Sequence, residues 1–573
     1  MHSRISLRAL KPAMPVPKGR SKLMLTSLCL GLTLYGVASA EESSNWKLNP
    51  VVKTHTIATT LSLSGPGQDV QGLPMTYDMS LFEWSWGGKQ STFNGSGITT
   101  NSNFPLVEGN AISTNTDVGL EMTAPSGLAA GIQGEAYGLA GDRTLGRVFG
   151  EELPWDNFDR SGGNLVPSRF NLDLDRGWVR YAQGPWSIQG TGGTLPPQTL
   201  PEFTRRPMNQ LRLGSLMWRP PITNASFFEK EDRKLEEGRH PVRGGDLLLD
   251  HEYQPKRHLH LELFSGQTKP TPLSNIDRLS WGGRASADIL QGNLGFTFVR
   301  ADGDKPRPER QGLWGLDGSV WLSSWATLFG AWVRSSYTRA STNLDGTALV
   351  GGVALKGPRK MEGKLQYQWL GENYDLIGTH KVEHYPTNLR GIQAEALVPI
   401  GHGNLKGILY YLKQMETNTR TGDTIFGDSY FPALANSKRG SIAMWKLSGE
   451  TGAWRGLKLK GYLEQAHFRK DALEDSDDID KTVTNLTLGP AFSTTPQLSI
   501  EVALRHLIAT GRWQGMRFHH RQEIPEFSLT YTKGKDLRAT LIHHWYTFTD
   551  SISSTASNDY DGQHWIAEFL FRF

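Results

Sequence analysis

The 573-residue chain carries a single cysteine, Cys29, and none after it. Nothing downstream can form a disulfide, attach haem through a C-x-x-C-H motif or complete a cysteine zinc site. Long apolar runs are scarce too. After residue 37 no stretch supplies the roughly 20 consecutive apolar residues of a membrane-spanning helix, and mean hydropathy is −0.42. A helical membrane transporter is thereby excluded. Neither charge sign dominates, since 61 Lys and Arg face 57 Asp and Glu. No fixed-period repeat is present, which excludes propellers and β-helices. What is plentiful excludes disorder: 18 Trp, and an aromatic fraction of 10%. A polar, aromatic chain with 63 Gly and weak helical patterning predicts an all-β fold.

Residues 1–22 hold Arg4, Arg8, Lys11, Lys18, Arg20 and Lys22 with no acid. An apolar run from Leu23 to Val37 follows, and then Ala38-Ser39-Ala40. Basic flank, short apolar run and small residues together predict a signal peptide over 1–40, cleaved after Ala40. Cys29 lies inside it behind Leu28, where a lipoprotein signal needs a small residue. Cleavage removes six cations, so a net charge of +4 becomes −2. The basic balance then belongs to the leader, and no nucleic-acid partner is expected.

The C-terminus is the most informative segment. In 563–573, Trp565, Ala567, Phe569, Phe571 and Phe573 alternate with His564, Glu568 and Arg572, Ile566 and Leu570 being exceptions. Alternate residues of a strand point to opposite faces, so one face is apolar and the other polar. The pattern recurs upstream. Phe527, Leu529 and Tyr531 interleave Glu526, Ser528 and Thr530; Leu498, Ile500 and Val502 interleave Ser499 and Glu501; Leu365, Tyr367 and Trp369 interleave Lys364, Gln366 and Gln368. Short turns at 253–257, 323–324, 357–360, 401–404, 493–496 and 533–535 alternate with longer polar stretches. The latter include 302–311, 338–346, 373–388, 416–439, 469–481, 509–523 and 549–561. This asymmetry suits a barrel with short turns at one end and long loops at the other.

The terminal segment resembles the last strand of Gram-negative outer-membrane β-barrels, which ends in Phe and is read by the barrel-assembly machinery. Trp565, Phe569, Phe571 and Phe573 carry that resemblance. It implies a large antiparallel transmembrane β-barrel of the porin or exporter class, integral to the outer membrane, with outer-membrane lipid and lipopolysaccharide around it. Counting alternating segments from Thr76 onward gives about 24 strands, within a range of about 18–26. A further segment at 49–64 makes the total odd, and 223–232 is a weak candidate. One domain, 41–573, is expected, starting close to Trp46 with no plug domain ahead of it.

With lipid on the apolar face, the charged alternates line the lumen. Arg176, Trp178 and Arg180 share one parity, and Arg205, Arg206, Arg212 and Arg284 add cations. Arginine forks suit carboxylates and phosphates, and Trp178 offers a sugar-stacking face. The alternative is a mixed-charge wall in which these arginines pair with neighbouring acids. The Gly- and Pro-rich stretch 189–207 either folds into the pore or lies on the surface. Around the 254–256 turn, hairpin register sets Glu252 opposite His258 and Asp250 opposite His260. Those four suit either a weak metal site or acid–base pair, or plain cross-strand charge pairs. The acidic stretch 469–481 lacks the order of a calcium loop.

Two functional readings follow, neither enzymatic and neither with a cofactor bound by this chain. One is a channel, porin or exporter, for polar and anionic solutes; a resemblance to alginate-export barrels, in architecture alone, extends it to exopolysaccharide. The other is a sheath enclosing a periplasmic partner such as a multihaem cytochrome.

Overall fold

In a computed structural model, each alternating segment becomes a strand paired with its neighbours. The structure describes residues 47–64, 67–68, 74–78, 83–86, 89–94, 97–102, 109–141, 158–161, 164–167, 170–194, 242–268, 278–303, 309–339, 342–371, 389–415, 440–470, 479–513, 516–550 and 560–573. Among them, 22 strands form one sheet. In chain order these are β1 (Lys47–Ser64), β2 (Gly109–Thr123), β3 (Leu128–Gly141), β4 (Phe170–Gln183), β5 (Trp186–Thr194), β6 (Val242–Gln254), β7 (Arg257–Thr268), β8 (Arg278–Ile289), β9 (Gly292–Gly303), β10 (Glu309–Trp321) and β11 (Ala326–Arg339). There follow β12 (Thr342–Lys356), β13 (Glu362–Leu370), β14 (Leu389–Ile400), β15 (Gly403–Gln414), β16 (Ser441–Glu450), β17 (Leu457–Lys470), β18 (Ile479–Ser493), β19 (Leu498–Trp513), β20 (Met516–Lys533), β21 (Leu537–Asp550) and β22 (Tyr560–Arg572). Successive strands pair antiparallel, and β1 pairs with both β2 and β22, so the sheet closes without an edge. Closure satisfies every ladder internally, which a sheet in lipid requires.

The barrel thus has 22 strands rather than 24, for two reasons. The alternating segments Pro74–Asp78, Glu83–Trp86, Lys89–Asn94 and Gly97–Ser102 pair with one another, and with Gly67–Gln68, in a separate five-stranded sheet. The segment that made the count odd, by contrast, is β1 itself, the strand that closes the ring. Two stretches expected as loops, 338–346 and 509–523, are mostly strand: β11 gives way to β12 after 340–341, and β19 to β20 after 514–515. The signal segment 1–40 and the candidate 223–232 lie outside the described residues.

Accessibility separates the two faces. Trp565, Phe569, Leu541, Leu365, Phe296 and Leu316 are all exposed although apolar, because they point outward, where a bilayer covers them. Tyr181, Trp186, Trp321 and Trp325 mark the turn-side edge of this band. Trp281, Trp314, Trp445, Trp545 and Trp565 mark the other edge. Two aromatic girdles flanking an apolar band are what a strand barrel needs at two membrane–water interfaces. The chain is therefore a membrane-spanning barrel of the outer-membrane kind. Ile566, one exception to the C-terminal alternation, faces inward and packs in a buried cluster with Ile57 and Ile542.

The barrel closes at the β1–β22 seam, where Lys53 lies opposite Arg572 and Ser64 opposite Asp561. Phe573 extends this ladder. Its N–H donates to the Val52 carbonyl (2.7 Å), and its carbonyl accepts from the Val52 N–H (3.0 Å). Deleting Phe573 removes both bonds, at about 1 kcal/mol each, and one outward aromatic. We expect the heat-resistant folded band on unboiled gels to fall relative to wild type. An unchanged folded fraction would mean that the last residue adds nothing to closure.

Candidate functional site

Register places the sequence candidates on the inner face. Arg176, Trp178 and Arg180 lie opposite Gln133, Gly131 and Ala129 of β3, and opposite Gly193, Thr191 and Gln189 of β5. These neighbours are small or neutral. A Cβ on Gly131 would come within 2.5 Å of the Trp178 indole nitrogen, so the indole lies across the bare backbone there. The Arg176 Nε donates to Gln133 Oε1 (3.3 Å) and the Arg180 Nε to Ser187 Oγ (3.1 Å). Among the described residues neither guanidinium makes an ion pair, although the buried Asp246 carboxylate on β6, opposite Thr191, interacts electrostatically with Arg176. The result is an inward stripe of two cations flanking an indole.

Arg284 differs. It also faces the lumen, but its Nη1 and Nη2 donate to the two carboxylate oxygens of Asp317 at 2.5 and 2.8 Å, two strands away. Between them on β9 lies Gly295, where a Cβ would meet the guanidinium at 2.3 Å. The sequence offered a signal for this missed partner, since glycine inside a strand marks a close approach. Arg284 is a wall-building arginine and not a free anion anchor.

The register around 254–256 is as expected, with Glu252 opposite His258 and Asp250 opposite His260. The side chains pair otherwise. Asp250 accepts from Nδ1 of both His258 (2.8 Å) and His260 (3.0 Å), while Glu252 accepts from the Lys256 backbone N–H (2.9 Å). No group of three or more His, Cys, Asp or Glu among the described residues is arranged to hold a metal ion. The cluster is a set of cross-strand charge pairs near the turn. Arg205, Arg206, Arg212 and the rest of 189–207 after Thr194 lie outside the described residues, as does 471–478.

Other inner-face charges pair across strands in the same way. Lys460 meets Glu501 at 2.7 Å and Lys446 meets Glu464 at 2.7 Å. At the seam Glu568 takes both His55 (2.6 Å) and Arg538 (3.2 Å). Beyond them, His564 bonds Thr59 (2.5 Å) and His544 bonds Glu526 (2.8 Å).

A gradient of accessibility runs along the inner face. Near the turns it is open: Lys406, Lys460 and Arg538 side chains are 46%, 44% and 32% accessible. Further along the same strands, Leu412, Glu464 and His544 are 0% accessible. The same change occurs between Gln133 and Tyr137 on β3, between Asp317 and Leu313 on β10, and between Thr327 and Ser335 on β11. Barrels this wide enclose more space than wall side chains can fill. Large side chains on an uncovered wall would remain exposed, as those on the outer face do. The inner wall is therefore covered in its loop-side half and open as a vestibule in its turn-side half.

No protein-family model matches this sequence, and no curated protein matches it. Solved structures of similar architecture include OccK8 (OprE) of Pseudomonas aeruginosa, at 9% identity and a TM-score of 0.36, covering 92% of this chain and 98% of that one. A BenF-like porin from Pseudomonas fluorescens Pf-5 has 9% identity and a TM-score of 0.36, covering 92% and 99%. The translocation pore of the P pilus usher PapC has 8% identity and a TM-score of 0.36, covering 91% and 99%. At such values the likeness says nothing about cargo, and the barrel rests on this chain's own closed ladder.

Proposed function

We propose that the protein is an outer-membrane channel for small polar, anionic solutes, entered through the turn-side vestibule and restricted in the loop-side half. The observation that carries this reading is the Arg176–Trp178–Arg180 stripe. It sits on accessible inner wall with two guanidinium groups in no ion pair among the described residues, Arg176 feeling the buried Asp246 carboxylate of β6 and Arg180 none. Such groups attract anions and repel cations in a confined aqueous space, where fields are screened less than in bulk. The covered loop-side wall favours small solutes over an exopolysaccharide strand. No observation favours a sheath around a folded partner.

The test is ion conduction by the mature protein in planar bilayers under a salt gradient. Expected are a conductance small for so wide a barrel and a reversal potential that marks anion preference. The Arg176→Ala/Arg180→Ala variant should shift that potential toward cations. An unmoved potential removes these arginines from the selectivity mechanism. Silence from a demonstrably folded barrel removes the channel reading itself.

A further inference from the structure

Above the loop-side girdle the outer face changes character, and cations become common where lipid tails end. Most of them are matched by acids of the same surface. Arg300 meets Asp302 at 3.0 Å and Arg334 meets Asp345 at 3.3 Å. His467 lies 3.8 Å from Asp480, and Glu523 takes both Arg521 and His506.

Two strand pairs break this rule: on β14 and β15 Arg390 faces Lys413, and the β19–β20 hairpin sets two arginines together. Arg512 and Arg517 lie directly opposite one another, one pair from the hairpin tip. They share the outward parity of Leu504 and Val502 below them, as do His519 and Arg521 on β20. Like charges facing each other across an antiparallel pair are destabilising. Asp480 stands opposite Arg512 on β18 but is engaged with His467. Among the described residues neither arginine makes an ion pair or a side-chain hydrogen bond. Two guanidinium groups held this close on the outer face repel each other, and an anion from outside the chain lying between them would remove that cost.

We propose that Arg512 and Arg517 form a docking site for the phosphate groups of the surrounding outer-leaflet lipopolysaccharide. The inference rests on the loop end facing outward, not on channel function. Two guanidinium forks can each give two parallel N–H donors to one phosphate, the geometry at which arginine excels. The apolar ladder of Val502, Leu504 and Phe527 beneath them lies where the acyl chains of the same lipid would run.

The test is lipid binding to the purified barrel in detergent, counted by native mass spectrometry. The probes are bisphosphorylated lipid A, enzymatically dephosphorylated lipid A, phosphatidylglycerol and inorganic phosphate. Expected is tight retention of the phosphorylated lipid A alone. The Arg512→Gln/Arg517→Gln variant should bind it about tenfold more weakly or worse, with affinity for dephosphorylated lipid A unchanged. Arg512→Lys/Arg517→Lys, which keeps the charge, should retain part of the binding and serves if the glutamine variant misfolds. Equal binding by variant and wild type, equal weakening for both forms of lipid A, or saturation by inorganic phosphate alone would each overturn the proposal.

Discussion

A cysteine at Ser499 will react with a water-soluble maleimide at least about tenfold faster than one at Ser335, because local opening must precede modification of a buried thiol. Both positions lie on the inner face of the barrel, and both substitutions are nearly isosteric. Ser499 is on the half-open vestibule wall of β19 beside Glu501, whereas Ser335, on β11, is 2% accessible. The sequence suits the experiment, since the lone cysteine, Cys29, falls in the predicted leader. Labelling of the urea-unfolded protein gives the rate for each thiol without the wall around it. Equal folded-state rates would mean that water reaches the loop-side wall as freely as the vestibule, and the restricted-channel picture would be lost.

Asp317→Ala should destabilise the folded barrel by about 3 kcal/mol, toward the lower end of what removing one partner from a buried ion pair costs. Arg284 and Asp317 side chains are 13% and 19% accessible, so the charge left behind is poorly hydrated. Arg284 retains its bond to Thr297 (3.1 Å), and Glu262 stands opposite it on β7, which keeps the cost from rising further. Asp317→Asn preserves shape and one neutral acceptor and should cost less. The double variant Arg284→Met/Asp317→Leu removes both charges and should recover most of the loss. Urea unfolding in micelles, followed by tryptophan fluorescence, reads all three. If Asp317→Ala unfolds at the wild-type midpoint, the pair contributes nothing to the wall.

The candidate stripe was legible in the sequence because parity alone decides which face a strand residue takes. Arg176, Trp178 and Arg180 differ by two positions and could only share a face. That neither makes an ion pair was not legible, since it depends on which residues β3 and β5 set beside them. Arg284 shows the reverse outcome from the same starting point. Its partner lies 33 residues away, and only the register of β8, β9 and β10 brings the two together over Gly295. The turn cluster divides likewise. A two-residue turn fixed the backbone pairing of Asp250 with His260, but side-chain reach decided that Asp250 would take both histidines.

By itself the sequence determined that the chain is all-β, that its strands are amphipathic with a period of two, and that the apolar face must meet lipid. These are local properties, set by successive side chains and the pleat of one strand. Strand number and lumen were decided only by the tertiary structure. Whether 49–64 and 74–102 join the ring depends on which edges find partners, and the ring took the first and excluded the second. Likewise nothing in the alternation distinguishes Lys460 from Glu464, four residues apart on the same inner face of β17. One stands in open vestibule and the other is buried against Lys446 and Asn485, because the neighbouring strands decide what is set beside each position.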